Sequence, residues 1–479
     1  VLVHWGHDEC VVLKNLGFKN VPSPIEAKYK WPGLYTPMAH QVTTAAFLTL
    51  HQKAYCFNEQ GLGKSATALW AADYLMGLGK IKRALIICPV SIMKSAWCAD
   101  AFNSVMHRRI DVAYGTPDKR RAVIKAGAEF VVINYDGVEI VEKEIANGGF
   151  DLILIDEMNH YKTASTKRWK ALNRLIGQDT WVWGMTGTPA SQSPLDAHGL
   201  VKLMAPGKVP SSLSTFKDLV MYRVSQFKYV PKPGVEKVIH QLLQPAIRFT
   251  KEECLDLPEI VYSTREVPLS TQQRKYYDSL KKDMVIQAAG VEVTAVHAAA
   301  AMTKLLQISS GAAYTTDGEV IEFDVAPRLG ALIEVIREAS HKVLVFASFK
   351  HTIDLIRRKL DSEKISCDEI HGDVPPMKRS VIFDKFQSTA DPHVLIIQPH
   401  SAAHGVTLTA ANTVVWFSPV TSYEIYAQAN ARVHRKGQRN PCLVVNICGS
   451  DVEEKLYKSL ERMDGDQVTL MDLYKQLTT

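Results

Sequence analysis

Residues 58–66 read N-E-Q-G-L-G-K-S-A and follow directly on an apolar run, Ala54 to Phe57. A glycine-rich turn between an apolar strand and a helix suits a small set of folds, those that bring backbone N–H groups together around an anion. Gly61 and Gly63 allow that approach, Lys64 adds a point charge suited to β- and γ-phosphates, and the Ser65 hydroxyl is a ligand suited to Mg²⁺. The full pattern G-x-x-x-x-G-K-[ST] has glycine where this chain has Asn58. Taken alone, the loop fits an ordinary strand–turn–helix junction about as well.

A second run changes that balance. Asp151 to Glu157 reads D-L-I-L-I-D-E, an apolar strand ending in two carboxylates. Open α/β sheets place ligand chemistry at the carboxyl ends of their strands. Asp156 is suited to the Mg²⁺ shell, and Glu157 to orienting and deprotonating an attacking water. A buried strand with a polar end is the bland alternative. Joined to the upstream loop, the pair favours a nucleoside triphosphatase.

The rest of the chain supports this architecture. Short apolar runs at Ala54–Phe57, Ala84–Cys88, Phe130–Ile133, Leu152–Ile155 and Trp181–Trp183 alternate with helical patterns. The same rhythm returns at Val343–Phe346, Val394–Ile397, Thr413–Phe417 and Cys442–Ile447. Such runs predict buried parallel strands, hence an α/β fold of two tandem doubly wound lobes. The boundaries expected are an N-terminal segment over 1–34, a first lobe over 35–204 and a mostly helical insertion and connector over 205–325. A second lobe over 326–450 and a C-terminal helical brace over 451–479 complete the chain. The brace rests on Val452, Leu456 and Leu460, an i, i+4, i+8 stripe.

With 479 residues of which 46% are hydrophobic, the chain has ample material for globular cores. A net charge of +6 suits a polyanionic partner without requiring one. The eight cysteines include no C-x-x-C pair and several sit in strand-like runs, which points to a reducing compartment. His4, His7 and Cys10 have ligand-like spacing but no fourth ligand close by, so zinc is the weaker reading there. No stretch approaches the roughly eighteen apolar residues of a membrane span, and no basic-then-apolar signal opens the chain. A soluble intracellular protein is expected, cytoplasmic in a bacterium or phage-infected cell and nuclear in a eukaryote. The first residue is Val1 rather than Met, which leaves room for an upstream segment.

The second lobe carries Q-A-N-A-R-V-H-R-K-G-Q, Gln428 to Gln438, on a stretch read as helical. Arginines three apart share one helix face, so Arg432 and Arg435 are expected to point together at phosphates held by the first lobe. A solvated basic helix is the bland reading. The whole string, however, closely resembles motif six of the Swi/Snf-type ATPases of helicase superfamily two. Other motifs then fall in order. Gln41 in T-P-M-A-H-Q resembles the glutamine that reads adenine, and Asn58–Ser65 resembles motif one, whose family form also lacks the first glycine. Ile86–Ser91, with Trp97 and Phe102, resembles motif Ia. Asp156–Lys162 is similar to motif two and Thr186–Pro189 to motif three. Ile247–Pro258 resembles the family's connector ahead of the second lobe. Val343–Phe349 is similar to motif four, Ile370–Asp373 to the DNA-facing motif after it, and Ser401–Ala411 to motif five. The resemblance covers Tyr35 to Met463.

The resemblance implies two RecA-like lobes, with ATP and Mg²⁺ as cofactors and Gly405 and Gln428 added to the nucleotide site. It also implies a groove facing the DNA backbone and lined by Ser91, Lys162, Thr186, Thr188, His371, Gly372 and Ser401. The chain departs from the family at Asn159, where His is usual, and at His400–Ala403, where Arg-Ala-Gly-Gly is usual. No chromatin-reading module is visible. The opening L-G-F-K-N-V-P-S-P and the string T-G-T-P-A-S-Q-S-P look more like phage and bacterial members near the annealing-helicase (HARP-like) branch. The function expected is a monomeric ATPase that is activated by double-stranded or branched DNA and translocates along it. A strand-separating helicase is the alternative within the class, and an ATP-switched DNA-binding module the alternative outside it.

Overall fold

The computed structural model describes residues 4–18, 21–187, 193–224, 229–290, 295–314, 319–401 and 406–461, with side chains for all but 285–290, 295–297 and 376. The chain divides into two compact units, Val1–Asp256 and Leu257–Thr479.

In the first unit the strands β1 (Lys53–Cys56), β2 (Ala84–Ile87), β3 (Ile110–Ala113), β4 (Phe130–Ile133), β5 (Leu152–Ile155) and β6 (Trp181–Met185) build one sheet. A hairpin, β7 (Met221–Arg223) and β8 (Tyr229–Pro231), stands apart, and β9 (Ala246–Ile247) returns to the sheet. The order is β3-β4-β2-β5-β6-β1-β9, every pair parallel. Alternate residues feed two cores. Leu85, Ile87, Val131 and Ile133 pack on one face, and Ala84, Ile86, Phe130 and Val132 on the other. With both faces covered by helices, these strands read as continuous apolar runs, and each buried Val, Leu, Ile or Phe contributes about 1.5–3 kcal/mol.

The second unit repeats the plan. It contains β10 (Ile260–Glu266), the hairpin β11 (Ala312–Tyr314) and β12 (Val320–Glu322), and then β13 (Lys342–Phe346) and β14 (Cys367–Ile370). Three further strands follow, β15 (Val394–Ile397), β16 (Ala411–Trp416) and β17 (Cys442–Cys448). The main sheet runs β10-β17-β16-β13-β15-β14, again all parallel. Leu344, Phe346, Leu395 and Ile397 face one core, and Val343, Val345, Val394 and Ile396 the other. The chain is therefore an α/β protein of two doubly wound parallel-sheet lobes.

The stretch 205–325 is shared between the units. The helices Leu213–Val220 and Val235–Leu242 bury Phe216, Val220, Val235 and Ile239 in the first. The helices Thr271–Gly290 and Ala295–Ser310 belong to the second, where Tyr277, Met302 and Leu305 share a core with Val452 and Leu456 of the helix Asp451–Glu461. Among the described residues no helix is long and apolar enough to cross a membrane.

One buried ion pair ties the second unit together. Arg328, on the helix Ala326–Glu338, and Glu453 are 3% and 0% exposed. Its guanidinium donates to Glu453 Oε1 at 2.7 Å and Oε2 at 3.1 Å, and also to the carbonyls of Ser309, Phe417 and Ile447. Burial by itself lowers the Arg328 pKa, yet Glu453 beside it reverses the sign and leaves it raised. Removing one partner strands a charge in the interior. Arg328→Ala should therefore cost the second unit about 3–5 kcal/mol in a denaturant titration, whereas joint replacement of Arg328 and Glu453 by Met and Leu should recover most of that loss.

Candidate nucleotide site

The phosphate-loop candidate leaves the carboxyl end of β1 and enters the helix Lys64–Gly77. Gly61 and Gly63 have φ of 87° and 71°, the left-handed region that glycine enters without steric cost. At Gly63 a side chain would also begin 2.2 Å from the Gln41 amide. The helix that follows has neither a side-chain cap nor an acidic residue in its first turn. Its leading N–H groups are thus left for an anion.

Asn58 anchors the loop at the position where the full pattern has glycine. Its side chain is buried, donates to Thr44 Oγ1 at 2.9 Å and accepts from Phe249 N at 3.0 Å. The loop is thereby pinned between the helix Ala39–Thr49 and the chain leaving β9, where Glu59 N also donates to Phe249 O at 3.0 Å. Lys64 Nζ donates to the carbonyls of Asn58 at 2.8 Å and Glu59 at 3.1 Å, which holds the ammonium over the loop. Gln41 accepts from Met38 N at 2.9 Å and reaches Gly63 O at 3.4 Å. Beside it Met38, Ala39, His40, Thr43, Phe249 and Cys254 line a cavity of about 280 Å³.

The carboxylates leave β5, and β6 lies between β5 and β1 in the sheet. Asp156 and Glu157 are each 7% exposed. Asp156 Oδ2 accepts from the Trp97 indole N–H at 2.9 Å, and its backbone carbonyl accepts from Tyr135 Oη at 2.8 Å. Trp97 is fully buried and sits in a π-helical turn, Met93–Cys98, that follows β2. Such turns often mark functional positions, and this one aims a donor at the carboxylate. Burial, with Asp156 and Glu157 adding to it, pushes the Tyr135 phenol well above its ordinary pKa, so it stays protonated and donating. Burial likewise raises the thiols of Cys56 and Cys88, which rules them out as thiolate nucleophiles near neutral pH.

Glu157 adopts φ 47° and ψ 60°, uncommon for a residue with a side chain. Its two oxygens accept long hydrogen bonds of 3.5 Å from Gln60 Nε2 of the loop and from Thr186 Oγ1 after β6. Asn159 Nδ2 donates to the same hydroxyl at 3.2 Å. Asn159 thus supplies the donor at a position where His is usual. Thr186, placed by resemblance on the DNA groove, is fully buried and donates to Glu157. Ser91 lies partly exposed in the turn Val90–Ile92, and Lys162 pairs with Asp196 at 3.3 Å. Thr188 and Gly405 lie outside the described residues.

In the second unit, His371 and Gly372 follow β14 and Ser401 follows β15. Gln398 brings them together, accepting from Gly372 N at 3.1 Å and from Ser401 Oγ at 3.4 Å, while Arg379 caps the carbonyls of His371 and Gly372. Gln428 sits on the helix Tyr423–Asn430 and donates to Glu424. That helix stops before the arginines, contrary to the helical placement expected of them. Arg432 and Arg435 lie in consecutive turns, where Leu408 N donates to Arg432 O at 2.9 Å and Arg435 donates to Val406 O at 3.2 Å. Gly437, at φ 99°, closes the turn, and His434 is drawn off to Pro258 O at 2.9 Å. The pair is held by the segment 406–408, not by a shared helix face. In the His4, His7 and Cys10 group, two of the side chains engage backbone carbonyls. His7 bonds Thr49 O and Cys10 bonds Pro22 O, and no metal-holding group of three His, Cys, Asp or Glu occurs among the described residues.

A phosphate loop that reaches a neighbouring carboxylate pair through the Gln60 amide, on a parallel sheet, defines a P-loop nucleotide-hydrolysing protein of the helicase-like kind. The chain belongs to the SNF2-related family of helicase-like ATPases: the SNF2-related domain matches residues 40–311, and the helicase conserved C-terminal domain matches 327–437. It is 25% identical over 407 residues to an uncharacterised ATP-dependent helicase of Mycoplasma genitalium, covering 83% of this chain and 38% of that protein. A putative protein of Acyrthosiphon pisum secondary endosymbiont phage 1 is 23% identical over 460 residues, covering 88% of this chain and 95% of its own length. Among solved structures, the Sulfolobus solfataricus SWI2/SNF2 ATPase core in complex with dsDNA gives a TM-score of 0.45 at 20% identity, covering 93% of this chain and 96% of that one. The chain spans well under half the length of the Mycoplasma relative.

Two substitutions test the site's division of labour. Glu157→Gln should abolish turnover while ATP binding survives. Trp97→Phe keeps the ring but removes a hydrogen bond to a charged group, worth about 1.5–3 kcal/mol, so turnover should fall about tenfold to a hundredfold. Steady-state hydrolysis and equilibrium nucleotide binding check both.

Proposed function

We propose that this chain hydrolyses ATP under the control of DNA and turns that hydrolysis into movement along double-stranded or branched DNA. The observation that carries the reading is the joining of loop and carboxylates. Gln60, Glu157, Thr186 and Asn159 form one hydrogen-bonded line across three strand ends. Lys64 is poised to exchange its two carbonyl partners for β- and γ-phosphate oxygens. Glu157 takes the role of orienting and deprotonating the attacking water, and Gln41 with the adjoining cavity takes the adenine. Asp156 and Ser65 are oxygen ligands, and one carboxylate with a hydroxyl, phosphates and water is the set Mg²⁺ takes. The ion, when bound, neutralises charge developing on the transferred phosphate.

Family membership and the net charge of +6 support a nucleic-acid partner. Ser91, Lys162, His371, Gly372 and Ser401 are the proposed backbone contacts. No aromatic stacking ladder or base-reading module is evident in the sequence, so these contacts should be to phosphates. The phage relative of nearly equal length favours a phage or bacterial setting.

The test is ATPase rate on sequence-matched duplex, forked and single-stranded DNA and on RNA. Duplex or forked DNA should stimulate most, indifferent to base sequence, with apparent affinity falling steeply as salt rises. Equal or greater stimulation by unstructured single strands would favour the strand-separating alternative. Arg432 and Arg435 are proposed to complete the reaction as charge-stabilising arginines. Arg435→Ala should then leave ATP and DNA affinity near wild type and lower stimulated turnover by about 10³–10⁵. A rate within about tenfold of wild type would assign the pair to structure alone.

A further inference from the structure

The hairpin β7–β8 takes no part in either large sheet. Its base is fixed. Phe216 and Val220 on the helix before it, and Val235 and Ile239 on the helix after it, are buried in the first-unit core, and Lys232 N donates to Val220 O at 2.9 Å. Past that base Tyr222, Arg223 and Val224 are exposed. Directly opposed residues share a face, so Tyr222 and Val230 project to one side and Arg223 and Tyr229 to the other.

Each side carries a cation against a tyrosine. Lys232 Nζ lies 5.2 Å from the Tyr222 ring centre, and Lys217 Nζ lies 3.2 Å from that of Tyr229. Tyr222 is 54% exposed, and Arg223 is exposed beside it. From Lys202 to Lys237 the described residues hold six cations against two carboxylates, Asp218 and Glu236. An isolated two-stranded ribbon is marginal in water and adds little burial, so the fold alone gives no reason to keep one here. A ribbon of two strands is an element the DNA major groove admits, and cations on both of its faces match the phosphates along either rim.

We infer that the β7–β8 ribbon is a contact surface for duplex DNA, with Arg223 and Lys232 neutralising backbone phosphates. The inference rests on the DNA-dependent reading above and names a surface that the motifs of the two lobes do not include.

The test uses the full chain and a labelled duplex of arbitrary sequence, with affinity followed by anisotropy across a salt series. The double variant Arg223→Gln, Lys232→Gln removes two phosphate contacts. Its log–log salt slope should be shallower than wild type by about 1.8, at about 0.9 per contact, with DNA-free ATPase and melting temperature unchanged. A photoreactive p-benzoylphenylalanine at Tyr222 should crosslink to the duplex on irradiation. This readout decides the matter if the double variant does not fold. An unchanged slope in a folded variant, or a Tyr222 position that never crosslinks while the wild type binds DNA, overturns the inference. A wild type that binds no DNA overturns the DNA-dependent reading itself, a result recognisable without any variant.

Discussion

In both large sheets every strand runs parallel to its neighbours, and that constraint governs the molecule. Parallel strands need crossover connections, α-helices form most of the crossovers here, and helices on both faces bury the interior strands. All carboxyl ends of a sheet then gather at one edge. In the first unit this places the loop after β1, the hydroxyl after β6 and the carboxylates after β5 at adjoining positions. No long-range coincidence of loops is needed, because the strand order alone makes them neighbours.

Within that edge, small groups set the chemistry. Thr186 touches Glu157 and Asn159, and Gln60 touches Glu157 from the loop side. A change in the loop on nucleotide binding therefore bears directly on the carboxylate and on the chain after β6. Trp97 and Tyr135 hold Asp156 from the side chain and from the backbone. The Trp97 indole and the Glu157 backbone N–H donate to the carboxylate itself and offset the cost of burying it, which without partners would be severe.

The interior strands were legible because burial on both faces writes itself as uninterrupted apolar runs, as in A-L-I-I of β2 and V-L-I-I of β15. The short hairpin strands β7, β8, β11 and β12 escaped notice, and within the two large sheets so did β3, β9, β10 and β14, the edge strands. Their compositions, I-D-V-A or C-D-E-I for example, reflect half-exposed positions. At the site, the glycines, Lys64 and the carboxylates carry their roles in their identity and spacing. Asn58, Gln60, Trp97 and Phe249 act through contacts that no local pattern encodes. Arg432 and Arg435 misled because R-x-x-R suits a helix, whereas contacts from the distant segment 406–408 hold it as turns.

The proposal that hydrolysis at this edge drives motion along a duplex has a direct physical test. Displacement of a triplex-forming third strand from linear duplex DNA measures that motion without asking whether the duplex strands part. Displacement should occur with ATP and not with a non-hydrolysable analogue. Equal displacement with both nucleotides, or none with ATP in an enzyme whose hydrolysis the same duplex stimulates, would contradict the proposal.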